Sequence, residues 1–188
     1  MNVYDFDKTI FYPDSSYCFV KYCLLHYPRA VLKALPSTLV PGIAKLAGQA
    51  GTREIKEKVF SFLSELDDVD RIVEEFWTEH KSGIADWYLK RKRSDDLILS
   101  ASPEFLLRPI TDELGVRLIA TRMDKYTGRI LGNNCHDAEK ISRFLKEFPG
   151  QQPDEFFSDS LSDSPMAWFS GKAWLVKDGK VLQPWPEK

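Results

Sequence analysis

The sequence predicts an α/β fold, with a parallel sheet covered by helices on both faces and a helical cap inserted after the first strand. Three observations support this prediction. Short apolar stretches alternate with amphipathic segments in the second half of the chain, as in a parallel sheet. A long helical pattern separates the first apolar stretch from the others. Acidic and hydroxyl residues directly follow several apolar stretches, which is typical of the carboxyl ends of strands in open sheets.

The first strand and the inserted segment occupy the first half of the chain. Residues 2–4, Asn-Val-Tyr, lead directly into acidic residues, as expected of a short buried strand. Helical patterns then continue to residue 92. We therefore predict a helical cap at residues 14–92 and a core formed by residues 1–13 and 93–188. On the cap helix predicted at residues 52–63 we expect a buried face formed by Ile55, Val59, Phe62 and Leu63.

The second half of the chain repeats a strand, a loop and a helix. The predicted strands are residues 97–99, 116–120, 155–157 and 173–176. Ser102 before Pro103 predicts the N-cap and first turn of one helix, and Asp137 predicts the N-cap of the next. Pro165 favours a further helix that begins close to Asp163. This alternation indicates parallel strands joined by crossover helices.

Charge and cysteine content exclude several classes of protein. The net charge of −2 gives no overall basic field, so we expect no nucleic-acid partner. Three cysteines without a CxxC spacing indicate reduced thiols in a cytoplasmic protein, rather than disulfides or a zinc site. The first residues lack a basic leader and an apolar core, so we expect no signal peptide. The longest apolar region is interrupted by prolines and lysines, which argues against a membrane span.

Two aspartates after the first strand carry the chemical prediction. Asp5 and Asp7 are separated by one residue, and carboxylates so close raise each other's pKa unless a cation or hydrogen-bond donors stabilise them. Asp5 is placed to attack phosphorus and form an aspartyl-phosphate. Asp7 is placed to protonate the leaving oxygen and then to activate water. Taken alone, Asp7 would be interpreted as a helix or turn cap; beside Asp5 and Thr9 the catalytic interpretation is favoured.

Polar residues after a later strand, and a lysine in a later helix, predict a phosphate site. Ser100 and the backbone N–H of Ala101 follow the second strand, and such groups at a helix start bind anions. Lys140 is predicted in the first turn of its helix, where the dipole disfavours a cation unless a phosphate is bound. Without the other motifs, Ser100 would be interpreted as a helix cap and Lys140 as a solvated lysine.

Two further aspartates predict a Mg²⁺ site. Asp159 ends the fourth predicted strand, and Asp163 follows four residues later. Mg²⁺ prefers octahedral oxygen coordination, commonly by one or two carboxylates with water and substrate phosphate. The predicted ligands are therefore Asp5, the backbone carbonyl of Asp7, and Asp159. Asp163 is predicted to orient the site or to be an N-cap, and both roles are compatible.

Four motifs occur in order along the chain: DFDKT at residues 5–9, SASP at residues 100–103, Lys140, and DSLSD at residues 159–163. Together they closely resemble the four motifs of the haloacid dehalogenase-like phosphatase superfamily. The helical insertion after the first motif resembles the branch, subfamily IB, that contains phosphoserine phosphatases and bacterial phosphatidylglycerophosphate phosphatases. The resemblance implies a Rossmann-like core, Mg²⁺ dependence and the residue roles given above. Ser158 departs from the glycine that is common in the family before the last motif.

Two other functions share part of this pattern. A non-catalytic binding or regulatory module of the same fold would not need both Asp5 and Asp7. A receiver-type phosphoacceptor would use an aspartate, a hydroxyl and a lysine, but the helical insertion and the second carboxylate disfavour it. We therefore predict a Mg²⁺-dependent phosphomonoester hydrolase.

The predicted cap bears on the substrate. Residues 15–53 contain five Lys or Arg and no Asp or Glu, together with many apolar residues. This composition is typical of a surface that adsorbs to anionic membranes, but stripes of apolar residues more commonly pack on a core. The predicted substrate is a small phosphorylated metabolite or a phospholipid headgroup. The lipid alternative would place the cap against the inner surface of the membrane.

Overall fold

The computed structural model describes residues 1–34 and 53–187, and a six-stranded sheet forms the centre of this part of the chain. The strands are β1 (Val3–Tyr4), β2 (Leu97–Pro103), β3 (Arg117–Thr121), β4 (Glu155–Ser158), β5 (Lys172–Lys177) and β6 (Val181–Pro184). Their order in the sheet is β3-β2-β1-β4-β5-β6. Strands β1 to β5 are parallel, and β6 pairs antiparallel with β5. The predicted α/β class is confirmed; the antiparallel strand was not predicted.

Helices cover the sheet and form most of the insertion. They are α1 (Ser15–His26), α2 (Pro28–Ala34), α3 (Arg53–Phe60), α4 (Val69–His80), α5 (Asp86–Arg91), α6 (Glu104–Leu114), α7 (Ala138–Glu147) and α8 (Ser164–Phe169). Short 3₁₀ helices occur at Ser61–Glu65, Lys81–Gly83 and Leu161–Asp163. Asp14 is the N-cap of α1, where its carboxylate accepts a hydrogen bond from the Tyr17 N–H at 2.8 Å.

Strand β2 continues further than the sequence predicts, because residues 100–103 remain extended. The helix α6 therefore begins at Glu104 after Pro103, which provides no side-chain N-cap. The prediction that Ser102 is this N-cap is wrong, since its hydroxyl donates instead to Asp7. Asp137 precedes α7 as predicted, but its side chain forms no N-cap hydrogen bond.

The helices of the insertion share one hydrophobic core with the sheet. Tyr4 of β1 stacks on Phe157 of β4 at 4.6 Å between ring centroids, and Tyr88 of α5 meets Tyr4 edge-on at 4.9 Å. Trp77 of α4 packs edge-on against Phe6 at 5.8 Å. Buried aromatic pairs of this kind add to the stabilisation from area burial. The division into a core and a cap at residues 14–92 stays a prediction.

The buried face of α3 differs from the predicted one. Val59 is buried as predicted, but 36% of the surface of Ile55 is exposed. Lys56 is buried in its place, with 5% of its surface exposed. Hydrophobic periodicity cannot identify such a position, because a lysine is buried only where its ammonium group finds acceptors.

The basic and apolar segment of the predicted cap is described in part. Phe19, Val20 and Val31 are buried in the core, whereas Leu25 and Leu32 are 68% and 49% exposed. The apolar residues Leu35, Leu39, Val40 and Ile43 lie outside the described residues. None of the helices formed by residues 1–34 and 53–187 combines the length and the apolar character that crossing a bilayer requires.

Gly128 lies where the loop after β3 contacts the end of α3. Its φ is +72°, and a Cβ built on it would lie 2.4 Å from the carbonyl oxygen of Phe60. We expect Gly128→Ala to destabilise the protein by about 2–5 kcal/mol, because backbone strain adds to a steric clash. Gly150→Ala is the matched control, since Gly150 has a φ of +73° and no atom within 4 Å of the added Cβ. Urea unfolding measures both losses, and equal losses would contradict the close approach.

Candidate active site

The predicted site residues converge at the carboxyl ends of adjacent strands. Asp5 directly follows β1, Ser100 lies in β2, and Asp159 directly follows β4. Because β1 lies between β2 and β4, the parallel order brings these three positions to one edge of the sheet. Lys140 reaches the same edge from the first turn of α7.

Lys140 is the central cation of the site. Its Nζ donates to Asp5 Oδ1 at 2.7 Å and to Asp163 Oδ2 at 2.6 Å, and its side chain is 2% exposed. Burial alone would lower the pKa of this ammonium, but the charges of Asp163 and Asp5 raise it above its usual value. Lys140 is therefore a fixed positive charge, and its alternative role as a solvated surface lysine is wrong.

Asp5 is held by backbone and side-chain bonds. Its N–H donates to the Phe157 carbonyl oxygen of β4 at 2.8 Å, and Thr9 Oγ1 donates to its Oδ2 at 3.4 Å. Burial raises the pKa of the Asp5 carboxyl, and the charge of Lys140 opposes that shift. The anionic form of Asp5, which a nucleophile requires, therefore depends on Lys140.

Asp7 is held at both of its oxygens. Its Oδ1 accepts from the Ser15 N–H at 2.6 Å, and its Oδ2 accepts from Ser102 Oγ at 2.5 Å. Burial first, and the charge of Asp14 second, raise the pKa of Asp7 to about 6, although the hydrogen bonds from Ser102 and Ser15 oppose the shift. A carboxyl group with this pKa exchanges a proton readily near neutral pH, as a general acid and base must.

Asp159 and Asp163 make different contacts in the site. Asp163 pairs with Lys140 and accepts a hydrogen bond from Ser158 Oγ at 2.7 Å. Although Asp163 occupies the N-cap position of α8, its side chain makes no N-cap hydrogen bond. Ser158 thus orients Asp163, and its Oγ also accepts a hydrogen bond from the Ser160 N–H at 3.2 Å. The Asp159 N–H donates to Thr9 Oγ1 at 3.0 Å, which brings Asp159 to the Asp5 side of the site.

The donor set fits a bound Mg²⁺ ion. Burial first, and the charge of Asp5 second, raise the pKa of Asp159, so the two carboxylates lie in each other's field. A cation would remove this repulsion. Within residues 1–34 and 53–187, no group of three or more His, Cys, Asp or Glu side chains is arranged to hold a metal. Two carboxylates and the Asp7 carbonyl suffice for Mg²⁺, which keeps water and substrate oxygens as its other ligands.

Ser100 and its neighbours line the end of β2. Ser100 is 1% exposed, and its Oγ accepts from the Ser102 N–H at 3.1 Å. Ser102 also contacts Ser15 and Ser16, at 3.3 and 2.9 Å between hydroxyl oxygens. The sequence analysis did not predict this serine cluster, although Ser15 and Ser16 closely follow the first motif and Ser100 and Ser102 lie in the second.

Comparisons with known proteins identify the family and the fold. The family model described as haloacid dehalogenase-like hydrolase matches residues 3–167. A protein of unknown function from Bordetella pertussis Tohama I is similar over 92% of this chain and 87% of that one, with 21% identity and a TM-score of 0.75. No curated protein matches the sequence.

Two further solved structures have the same fold. A phosphoserine phosphohydrolase-like protein from Francisella tularensis is 15% identical, with a TM-score of 0.57 over 92% of this chain and 86% of that one. A substrate-bound phosphoserine phosphatase is 17% identical, with a TM-score of 0.57 over 91% of this chain and 82% of that one. At these identities the likeness concerns the fold.

Proposed function

We propose that this chain, which belongs to the haloacid dehalogenase-like hydrolase family, hydrolyses phosphomonoesters through an aspartyl-phosphate on Asp5. One observation carries the proposal. Asp5, held by Lys140, and Asp7, held by Ser102 and Ser15, lie in one site at the ends of β1 and β2. A buried nucleophile with its own cation thus lies two residues from a carboxyl group whose pKa is about 6.

In the first half-reaction an oxygen of Asp5 attacks phosphorus, and the bond from phosphorus to the ester oxygen breaks. Asp7 in its protonated form gives its proton to the leaving oxygen, which departs as an alcohol. The raised pKa of Asp7 supports this role, because a fraction of the carboxyl groups is protonated near neutral pH.

In the second half-reaction water attacks the phosphorus of the Asp5 phosphate. Asp7, now ionised, takes a proton from that water, and the bond between phosphorus and the Asp5 oxygen breaks. Inorganic phosphate leaves, and both aspartates regain their starting states. The same carboxyl group therefore serves as acid in one step and as base in the next.

The phosphoryl oxygens are bound by Ser100, the Ala101 N–H and Lys140. Ser100 and Ala101 lie just before α6, and Lys140 adds a full positive charge. Asp5, the Asp7 carbonyl and Asp159 would hold Mg²⁺, which would neutralise the charge that accumulates on phosphate and carboxylates. Asp163 and Thr9 support the site by holding Lys140 and Asp5.

The alternatives are a non-catalytic module and a receiver-type phosphoacceptor. Both are disfavoured because Asp7, the residue placed for proton transfer, is hydrogen-bonded at both oxygens. An aspartate that only accepts a phosphoryl group does not require a second carboxyl group held in this way.

We expect chelation with EDTA to remove hydrolytic activity, and Mg²⁺ to restore it. The physical reason is that the carboxylates of Asp5 and Asp159 and the phosphate must share one small site. Ca²⁺ should restore little activity, because its larger and looser coordination displaces the reacting atoms. Steady-state phosphate release measures the effect. Full activity after complete removal of metal would refute the assignment of Asp159 as a ligand.

The substrate class is a small phosphorylated metabolite or a lipid phosphate. One structural observation supports a lipid substrate. Leu25 and Leu32 are exposed on α1 and α2, and they lie close in sequence to the exposed cations Lys21 and Arg29. A screen of soluble phosphomonoesters and of lipid phosphates in anionic and neutral vesicles tests the function. Activity that is enhanced on anionic vesicles supports the lipid class, and hydrolysis of soluble esters alone excludes it. If neither class is hydrolysed, the phosphatase proposal is refuted.

A further inference from the structure

Lys56 of α3 is a buried lysine that the reaction scheme does not use. Its Nζ donates to the carbonyl oxygen of Ala101 at 2.7 Å and to Asn134 Oδ1 at 3.0 Å. Burial lowers the pKa of its ammonium to about 8, and the charges of Asp7 and Asp14 oppose that shift. Burying a cation costs free energy, and the two hydrogen bonds offset that cost at this position.

Thr121 completes a ring of polar groups around Lys56. Its Oγ1 lies 2.7 Å from the Ala101 carbonyl oxygen and 2.8 Å from Asn134 Oδ1. It also accepts a hydrogen bond from the Cys135 N–H at 2.9 Å. A hydroxyl has one hydrogen and serves one acceptor at a time, whereas the ammonium of Lys56 serves both.

The ring determines how the side-chain amide of Asn134 is oriented. Its Oδ1 lies inside the ring, while its Nδ2 is buried and has no partner among the described residues. An unpaired buried donor costs free energy, so the bonds from Lys56 and Thr121 determine the orientation of this amide. The ring joins α3, the end of β2, the end of β3 and the loop before α7.

The ring fixes the peptide unit between Ala101 and Ser102. In a trans peptide the C=O and N–H groups point in opposite directions. When the Ala101 carbonyl is held toward Lys56 and Thr121, the Ser102 N–H points the other way and donates to Ser100 Oγ. The Ser102 hydroxyl donates to Asp7. One carbonyl group and its two donors thus constrain Ser102, which bonds to both Ser100 and Asp7.

Two neighbours of Lys56 fasten α3 to the same region. Arg53 donates to the carbonyl oxygens of Ile130 at 2.7 Å and Gly132 at 3.0 Å. Glu57 Oε1 accepts from the Ile130 N–H at 2.8 Å. Arg53, Lys56 and Glu57 lie three and four residues apart, so they share one face of the helix. Of these three, Lys56 is the one that bonds to the phosphate-binding segment.

We propose that Lys56 is a positioning residue of the active site. It ties the insertion to residues 100–102 and thereby orients Ser100 and Asp7 toward the phosphoryl group. This inference rests on the proposed function and extends it to a helix outside the four motifs. Lys56 bonds to protein groups, so its effect on substrate passes through Ala101.

The test compares Lys56→Met with Lys58→Met, an exposed lysine on the same helix. Methionine keeps an unbranched side chain about as long as the aliphatic part of lysine, but it donates no hydrogen bond. We expect Lys56→Met to raise both KM and the inhibition constant of inorganic phosphate by about tenfold or more, because a charged donor is lost from a buried acceptor. The change in kcat should be smaller, since the same segment binds the phosphoryl group before and during reaction. Lys58→Met should resemble the parent.

Unchanged KM and phosphate inhibition in folded Lys56→Met would overturn the proposal. A lower melting temperature with parental constants would do the same, because it indicates a purely structural lysine. If Lys56→Met does not fold, Thr121→Val removes the other donor to Ala101 and must shift the same constants relative to Thr121→Ser. If the parent hydrolyses no phosphomonoester, the proposed function fails, and direct binding of inorganic phosphate still compares the variants; equal binding would overturn the role of Lys56.

Discussion

Asp5→Ala should reduce phosphate release to the background rate, a loss of at least about 10⁴-fold in kcat. The substitution removes the attacking oxygen, and no neighbouring side chain replaces it, because Asp7 is engaged with Ser102 and Ser15. It also removes one predicted Mg²⁺ ligand. Initial rates with a phosphomonoester that the parent hydrolyses measure the effect.

The fold should survive this change. Lys140 retains its ion pair with Asp163 at 2.6 Å, so the buried cation is not left without a partner. Asp112→Ala, at an exposed position of α6, is the matched control and should keep parental activity. If Asp5→Ala unfolds cooperatively like the parent and still turns over at a comparable rate, Asp5 is not the nucleophile.

Asp7→Asn should lower kcat by roughly 10²- to 10⁴-fold with little change in phosphate binding, because general acid–base catalysis contributes about that much. Asparagine keeps an oxygen for the Ser15 N–H and therefore keeps the local structure. It neither donates a proton to the leaving oxygen nor takes one from water. The inhibition constant of inorganic phosphate measures the binding part.

The choice of leaving group makes this prediction sharper. p-Nitrophenolate leaves without protonation, so the Asp7→Asn variant should still form the Asp5 phosphate from p-nitrophenyl phosphate. Hydrolysis of that intermediate should remain slow, and a burst of p-nitrophenolate should precede slow turnover. An alkyl phosphate should give no burst. Parental rates on both substrates would return Asp7 to the role of a helix or turn cap.

The sequence predicted the parts of the site that lie at strand ends. Asp5 and Asp159 directly follow short apolar stretches, and parallel strands bring their carboxyl ends to one edge. Lys140 was predicted from an unfavourable position relative to the helix dipole, and the structure places it between Asp5 and Asp163. The placement of these residues follows from the sequence because local pattern and strand order together determine position.

The parts that were missed depend on contacts between distant segments. Lys56 and Ala101 are 45 residues apart, and no periodicity links them. Ser102 looked like an N-cap because it precedes Pro103, but β2 continues through it and its hydroxyl turns to Asp7. Ile55 was predicted to be buried from its spacing, yet the acceptors on β2 and the loop before α7 favour burial of Lys56. Local propensity does not contain this information.

Mass spectrometry after acid quench can detect transfer of the phosphoryl group to Asp5. The Asp7→Asn variant is mixed with p-nitrophenyl phosphate, quenched within the burst, and digested with a protease. We expect one added phosphoryl group on the peptide that contains Asp5, and none on that peptide from the Asp5→Ala variant. Release of p-nitrophenolate during the burst without a phosphoryl group on Asp5, or with that group on another residue, would contradict this mechanism.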